Sequence, residues 1–179
     1  MVLGAYYDGL YKTVLVLHIL CAIVGFGAVM LNAIYGNEVK KHPGPEGMAI
    51  FDANEKVSRV GEAFIVAVFV FGFLLVLLSD DQIEFSQTWV WLAMLLFVIA
   101  MGLSQGVLRP TLKRMRVLMG EMATAGPPAA AGSMPERTGG PPPQVAEMQS
   151  LGGRVAVLGA ALNVFVVVIL VLMIWKPGL

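Results

Sequence analysis

Cysteine, histidine and charge are all scarce in this sequence. One cysteine, Cys21, and two histidines, His18 and His42, occur among 179 residues, which excludes an internal disulfide and any metal site built from several cysteines. Only 13 % of the residues are charged, 12 basic against 12 acidic, so the basic surplus of a nucleic-acid surface is missing. There is no phosphate-cradling glycine loop, no nucleophile beside a matching base, and no internal repeat. What the chain has instead is apolar surface: 58 % of it is hydrophobic and its mean hydropathy is +0.79, a composition that belongs in a bilayer.

A hydrocarbon layer roughly 30 Å thick is crossed by about 20 helical residues. Four segments meet that length: 13–35, 60–79, 88–107 and 154–175. Each is too continuously apolar for barrel strands, which alternate faces, and open sheet edges are not satisfied in lipid. The expected fold is an all-α four-helix transmembrane bundle forming a single integral membrane domain. The first segment has only Lys12 before it and too long an apolar core for a cleaved signal, so it is expected to be a retained span.

Orientation follows from the basic residues, whose excess marks the cytoplasm. Lys12 and Lys176 lie on one side, whereas Lys40, Lys41, Lys56, Arg59, Arg109, Lys113, Arg114, Arg116, Arg137 and Arg154 lie on the other. Both termini are therefore expected outside, and the first and third loops inside, the bacterial inner membrane. The acidic loop 79–87 has no Lys or Arg and suits the outer side.

The third loop has two parts. In 108–122, Leu108, Leu112, Met115, Met119 and Met122 recur at helical spacing, with Arg109, Lys113, Arg114 and Arg116 beside them. That pattern predicts a basic amphipathic helix lying against anionic headgroups, beginning at Pro110. The segment 124–143, rich in Pro and Gly, predicts a flexible cytoplasmic tether. In the first loop, 37–47 is expected to be a turn region and 48–64 a helix leading into the second span. From Ala63 to Leu78 the apolar run is short of a full crossing, which places Glu62 at the inner boundary with Arg59 as its expected partner.

Stepping along the first span from His18 by three or four gives Cys21 or Ala22, Gly25, Ala28 and Asn32, all small or polar. Val16, Leu20, Ile23, Met30, Leu31 and Ile34 fall opposite. Helix contacts in lipid favour small and hydrogen-bonding residues, so the His18 face is expected to turn inward. A similar stripe, Gly152, Ala156, Gly159 and Asn163, marks the fourth span and is expected to face the first. Asn32, Arg59, Glu62, Ser104 and Gln105 fall near the inner boundary and Asn163 nearer the middle, too sparse a set for a continuous ion path.

Three roles are open to His18. Held neutral away from water, it offers one donor and one acceptor nitrogen and can bond across helices. It can also ligate a haem iron, or hold copper or another ion together with methionine sulfur. The stretches 11–31 and 166–179, with Leu17, His18, Gly25, Lys176, Pro177 and Gly178, resemble a bacterial integral membrane family known as domain of unknown function 2269, a name that carries no activity. More distantly, Tyr11, Leu17, His18, Ala22 and Gly25 resemble the first helix of copper-resistance protein D and of the HemJ-type protoporphyrinogen oxidases. That second resemblance implies that His18 holds haem b. No other histidine lies in a span, so a six-coordinate haem would take its other ligand from Met173 or from a second subunit. The expected role is a binding or accessory subunit of a homo- or hetero-oligomeric membrane assembly rather than an enzyme, with a haem-binding redox protein as the alternative and metal handling as a further one.

Overall fold

The computed structural model describes residues 9–42, 44–80, 82–124 and 143–177. The tether predicted for 124–143 lies outside them except for its end residues. Among the described residues all regular structure is helical: α1 (Gly9–Lys41), α2 (Pro45–Leu77), α3 (Thr88–Leu103), a π-helical turn (Ser104–Leu108), α4 (Arg109–Thr124) and α5 (Pro143–Trp175). Four continuous helical rods are long and apolar enough to cross a membrane, the third of them running without a break from α3 into α4.

Each of α1, α2 and α5 has 33 residues, or about 50 Å of helix. That exceeds a hydrocarbon core by about 20 Å, and the excess is unevenly placed. The apolar stretches begin near one end of the bundle, where Tyr11 and Val14 pack on Leu75 and Lys176 lies over the Trp89 ring at 5.4 Å. At the other end all four rods continue as a charged helical stalk. α1 runs to Lys41 and α2 starts at Pro45, so the connection is shorter than the region 37–47 that composition suggests. Its tightness rests on Gly44, at φ 81°, and on Gly47, where a β-carbon would overlap the His42 carbonyl. Glu38 bonds to Lys41 at 2.7 Å and helps carry α1 through to that turn.

The tightest helix pair is α1 with α2. Gly25 lies against Ile65, whose Cγ1 would be 2.9 Å from an added β-carbon, and Gly61 lies against the Ala28 methyl. Cys21, Gly25 and Ala28 are buried, and Val16, Leu20, Ile23, Met30, Leu31 and Ile34 are all exposed. The inward turn of the His18 face thus holds, but its partner differs from the expected one. The stripe packs on α2, not on the fourth span, where Gly152 and Gly159 have no atom within 4 Å of a would-be β-carbon. The remaining contacts close a ring: α3 and α4 on α5, α5 on α1, and α2 on α4. Phe69 and Phe97 stack at 5.0 Å between α2 and α3, and Ala93, Ile169 and Leu172 join α3 to α5.

At Pro110 the third rod does not restart. Proline has no N–H and its ring crowds the carbonyl four residues back. The helix meets this with the π turn, in which the Arg109 N–H reaches the Ser104 carbonyl five residues earlier. The rod therefore passes the proline and α4 extends the third span into the stalk. Its apolar side is turned to the bundle, with Leu118 almost fully buried and Leu112, Met115 and Met119 half-buried.

Candidate functional site

Among the described residues, two sites where polar side chains bond from one helix to another lie within the apolar length of the bundle. The first is His18, whose Nδ1 is 2.9 Å from the backbone oxygen of Val68 on α2. A carbonyl only accepts, so Nδ1 carries the proton and Nε2 keeps its lone pair. This contact depends on Gly72, one turn further along α2. A β-carbon there would be 3.1 Å from His18 Cε1 and 3.5 Å from Nδ1. Glycine at this position lets the ring lie close on α2 beside the Val68 oxygen, and a side chain there would press on it. Sequence reasoning missed Gly72, although a lone glycine inside the apolar run 64–78 marks close approach of another group.

A ligating imidazole usually has its other ring nitrogen bonded to a backbone carbonyl or carboxylate, because that bond fixes the tautomer and the ring orientation. His18 Nε2 has no hydrogen-bond partner among the described residues. Nε2 could therefore serve as a nitrogen ligand to haem b. The interior does not fit the macrocycle: the cavity where the four rods meet, bounded by Phe26, Ile65, Phe97, Met101, Ser104 and Phe165, holds about 70 Å³. A haem on His18 therefore has no room between the four rods. Met173 packs on the Ala93, Ile169 and Leu172 cluster at the interface of α3 with α5, a different interface from that of His18. Among the described residues no group of three or more His, Cys, Asp or Glu side chains is placed to hold a metal ion.

The second site lies at the stalk end of the apolar zone. Glu62 on α2 accepts from Gln105 Nε2 through one carboxylate oxygen and from Arg109 through the other. The Gln105 amide also lies 3.6 Å from Met101 Sδ. One turn before Glu62, Ser58 donates to Asn32 Oδ1 at 2.8 Å, which joins α1 to the same zone. Gln105 sits in the π turn and Arg109 at its exit, so the deformation imposed by Pro110 delivers both donors to one carboxylate. The arrangement neutralises an acid that lipid would otherwise penalise. Ser104 lines the small central cavity and is not among the groups bonded to Glu62.

The pairing expected between Arg59 and Glu62 is replaced. Arg59 bonds to Glu55 at 2.5 Å. Glu55 lies four residues before Arg59, the more favourable order for an acid and a base on a helix, and Arg59 is on the exposed side of α2. In the stalk, Arg114 grips Glu147 of α5 through two bonds at 2.7 and 3.0 Å, and Arg116 reaches Asp52 and Glu55 of α2, each at 3.1 Å. Of the four basic residues expected at a lipid surface, Arg109, Arg114 and Arg116 thus bind carboxylates, and Lys113 is in no ion pair among the described residues. Hydrogen bonding from Arg59 holds the Glu55 carboxyl below its ordinary range, and Arg114 does the same for Glu147. Asn163 bonds its Nδ2 to the Gly159 carbonyl at 2.9 Å, while its Oδ1 is buried and unpartnered.

No family model, curated protein or solved structure matches this chain.

Proposed function

We propose that this chain is a binding or accessory subunit of a larger assembly in the bacterial inner membrane, with both termini outside, the stalk in the cytoplasm, and membership of the family of unknown function that its ends resemble. The observation that carries the reading is the uncovered flank of α5. Gly152 and Gly159 have open space where a side chain would begin, and Ala156 between them is exposed. Small residues let a further helix approach closely in lipid, and within the chain the corresponding stripe of α1 is already taken by α2. The orientation is supported by the distribution of Lys and Arg, two on one side and ten on the other. The polar groups near the boundary bond chiefly to one another, Glu62 with Gln105 and Arg109 and Asn32 with Ser58, which favours a binding role over transport.

The test is native electrophoresis of protein extracted in mild detergent at its own expression level. A complex larger than one chain is expected, and Ala156→Leu, which fills the open flank, is expected to dissociate it. A lone monomer from wild type would overturn the reading.

A second reading has its own observation. The bond from His18 Nδ1 to Val68 leaves Nε2 free for an iron. In this reading His18 would hold haem b, with another ligand supplied by a second subunit. Purified protein is expected to show a Soret band that His18→Ala abolishes. Absence of the band after expression with added haem precursor would count against it.

A further inference from the structure

The flank of α1 and α2 that faces away from the other helices carries a furrow of about 510 Å³, within the size range of small-molecule sites. Its floor is made of residues with little or no side chain, Gly27, Ala28 and Gly61, and its rims are Ile23, Leu31 and Val60. Gly27 has nothing within 4 Å of a would-be β-carbon, and Gly61 lies directly on Ala28. The two helices are therefore drawn together below the furrow and leave it open above. Among its lining residues Lys56 alone is charged. It lies one turn before Val60, at the end where α2 leaves its apolar stretch for the stalk.

The charge of Lys56 is not spent within the chain. Its neighbouring carboxylates are engaged elsewhere: Glu55 with Arg59 and Arg116, Asp52 with Arg116, and Glu38 with Lys41. Lys56 itself is in no ion pair among the described residues. An unpaired ammonium thus ends an apolar furrow at the edge of the apolar zone, where charged residues begin. The complementary ligand has a hydrocarbon chain for the furrow and a net negative head for the ammonium.

We propose that this furrow is a binding site for one anionic phospholipid, its acyl chain lying over Gly27 and Gly61 and its phosphate on Lys56. A zwitterionic lipid brings the same chain but carries its own cation, so Lys56 discriminates between the two headgroups. The site differs from the basic face of α4, whose arginines already bind carboxylates.

The experiment is native mass spectrometry of the full detergent-solubilised chain, titrated with phosphatidylglycerol or phosphatidylcholine of identical acyl chains. Wild type is expected to take up one phosphatidylglycerol about fivefold more tightly than phosphatidylcholine, the value of one lysine near a headgroup. Lys56→Gln is expected to erase that preference, and Lys56→Arg and Lys113→Gln to keep it. Gly27→Leu, which fills the floor, is expected to weaken both lipids. Equal affinity of wild type for the two lipids would overturn the proposal, as would a preference that survives Lys56→Gln. So would a Gly27→Leu protein that loses a self-association while binding lipid as before, since a second copy would then be the occupant.

Discussion

The His18 ring lies close against Gly72 of the neighbouring helix: a β-carbon on residue 72 would be 3.1 Å from His18 Cε1. The imidazole that bonds to the Val68 carbonyl thus has little room for a side chain on residue 72. Gly72→Val is therefore expected to displace the ring, and ¹⁵N spectra of the labelled histidine are expected to lose the signature of a protonated Nδ1 bonded to oxygen. Gly102→Val, at a position with nothing within 4 Å, is expected to leave that signature unchanged.

Close approach of α1 to α2 depends on Gly61 in the same way. Gly61→Leu drives a side chain into Ala28 and is expected to destabilise the bundle by about 1–3 kcal/mol, the usual cost of overpacking. Thermal unfolding in detergent, compared with Gly102→Leu, measures it.

The carboxylate of Glu62 is held by donors from the third rod, so removing the cation is worse than removing both charges. Arg109→Met is expected to cost about 1–2 kcal/mol, less than the loss of a fully buried pair because the Arg109 side chain is 49 % exposed. The double variant Glu62→Gln with Arg109→Met is expected to recover part of that loss. Unfolding of the single and double variants in a thermodynamic cycle tests the coupling.

Acid should loosen the stalk before the spans. Glu55 and Glu147 have carboxyl groups held below their ordinary value near 4.5 by Arg59 and Arg114. A lowered folded-state pKa means that the stabilisation is complete above the unfolded value and disappears as pH falls through the lowered one. Hydrogen exchange of stalk amides is expected to be unchanged between pH 7 and 5, after correction for intrinsic rates, and to accelerate below about pH 4. Glu147→Gln is expected to reduce that acid response. An identical response in the variant would show that this pair does not contribute.

Much of the bundle is legible in the residues because the signals are local. Length and continuity of apolar runs mark the spans, and the alternation of Cys21, Gly25 and Ala28 with Leu20, Ile23 and Leu31 marks an inward and an outward face on one helix. The inner polar zone was also legible, since Asn32, Glu62 and Gln105 stand out in apolar surroundings. Ser58 joins them in the structure and lies at helical spacing from Glu62, a signal that the sequence does carry. The choice of partners was not legible. Arg59 is nearest to Glu62 along the chain, yet Glu55 takes it because an acid four residues ahead suits a helix better.

Sequence alone determined that this protein is a set of long apolar helices, that His18 turns inward, and that charge gathers at one end, because each follows from composition and period within a single segment. Tertiary structure alone decided that α1 packs on α2, that Gly72 seats His18, and that Arg109 and Gln105 reach Glu62. These depend on the register between helices. That register is set by contacts such as Gly61 on Ala28 and by the one-residue shift of the π turn before Pro110, and neither segment contains it by itself.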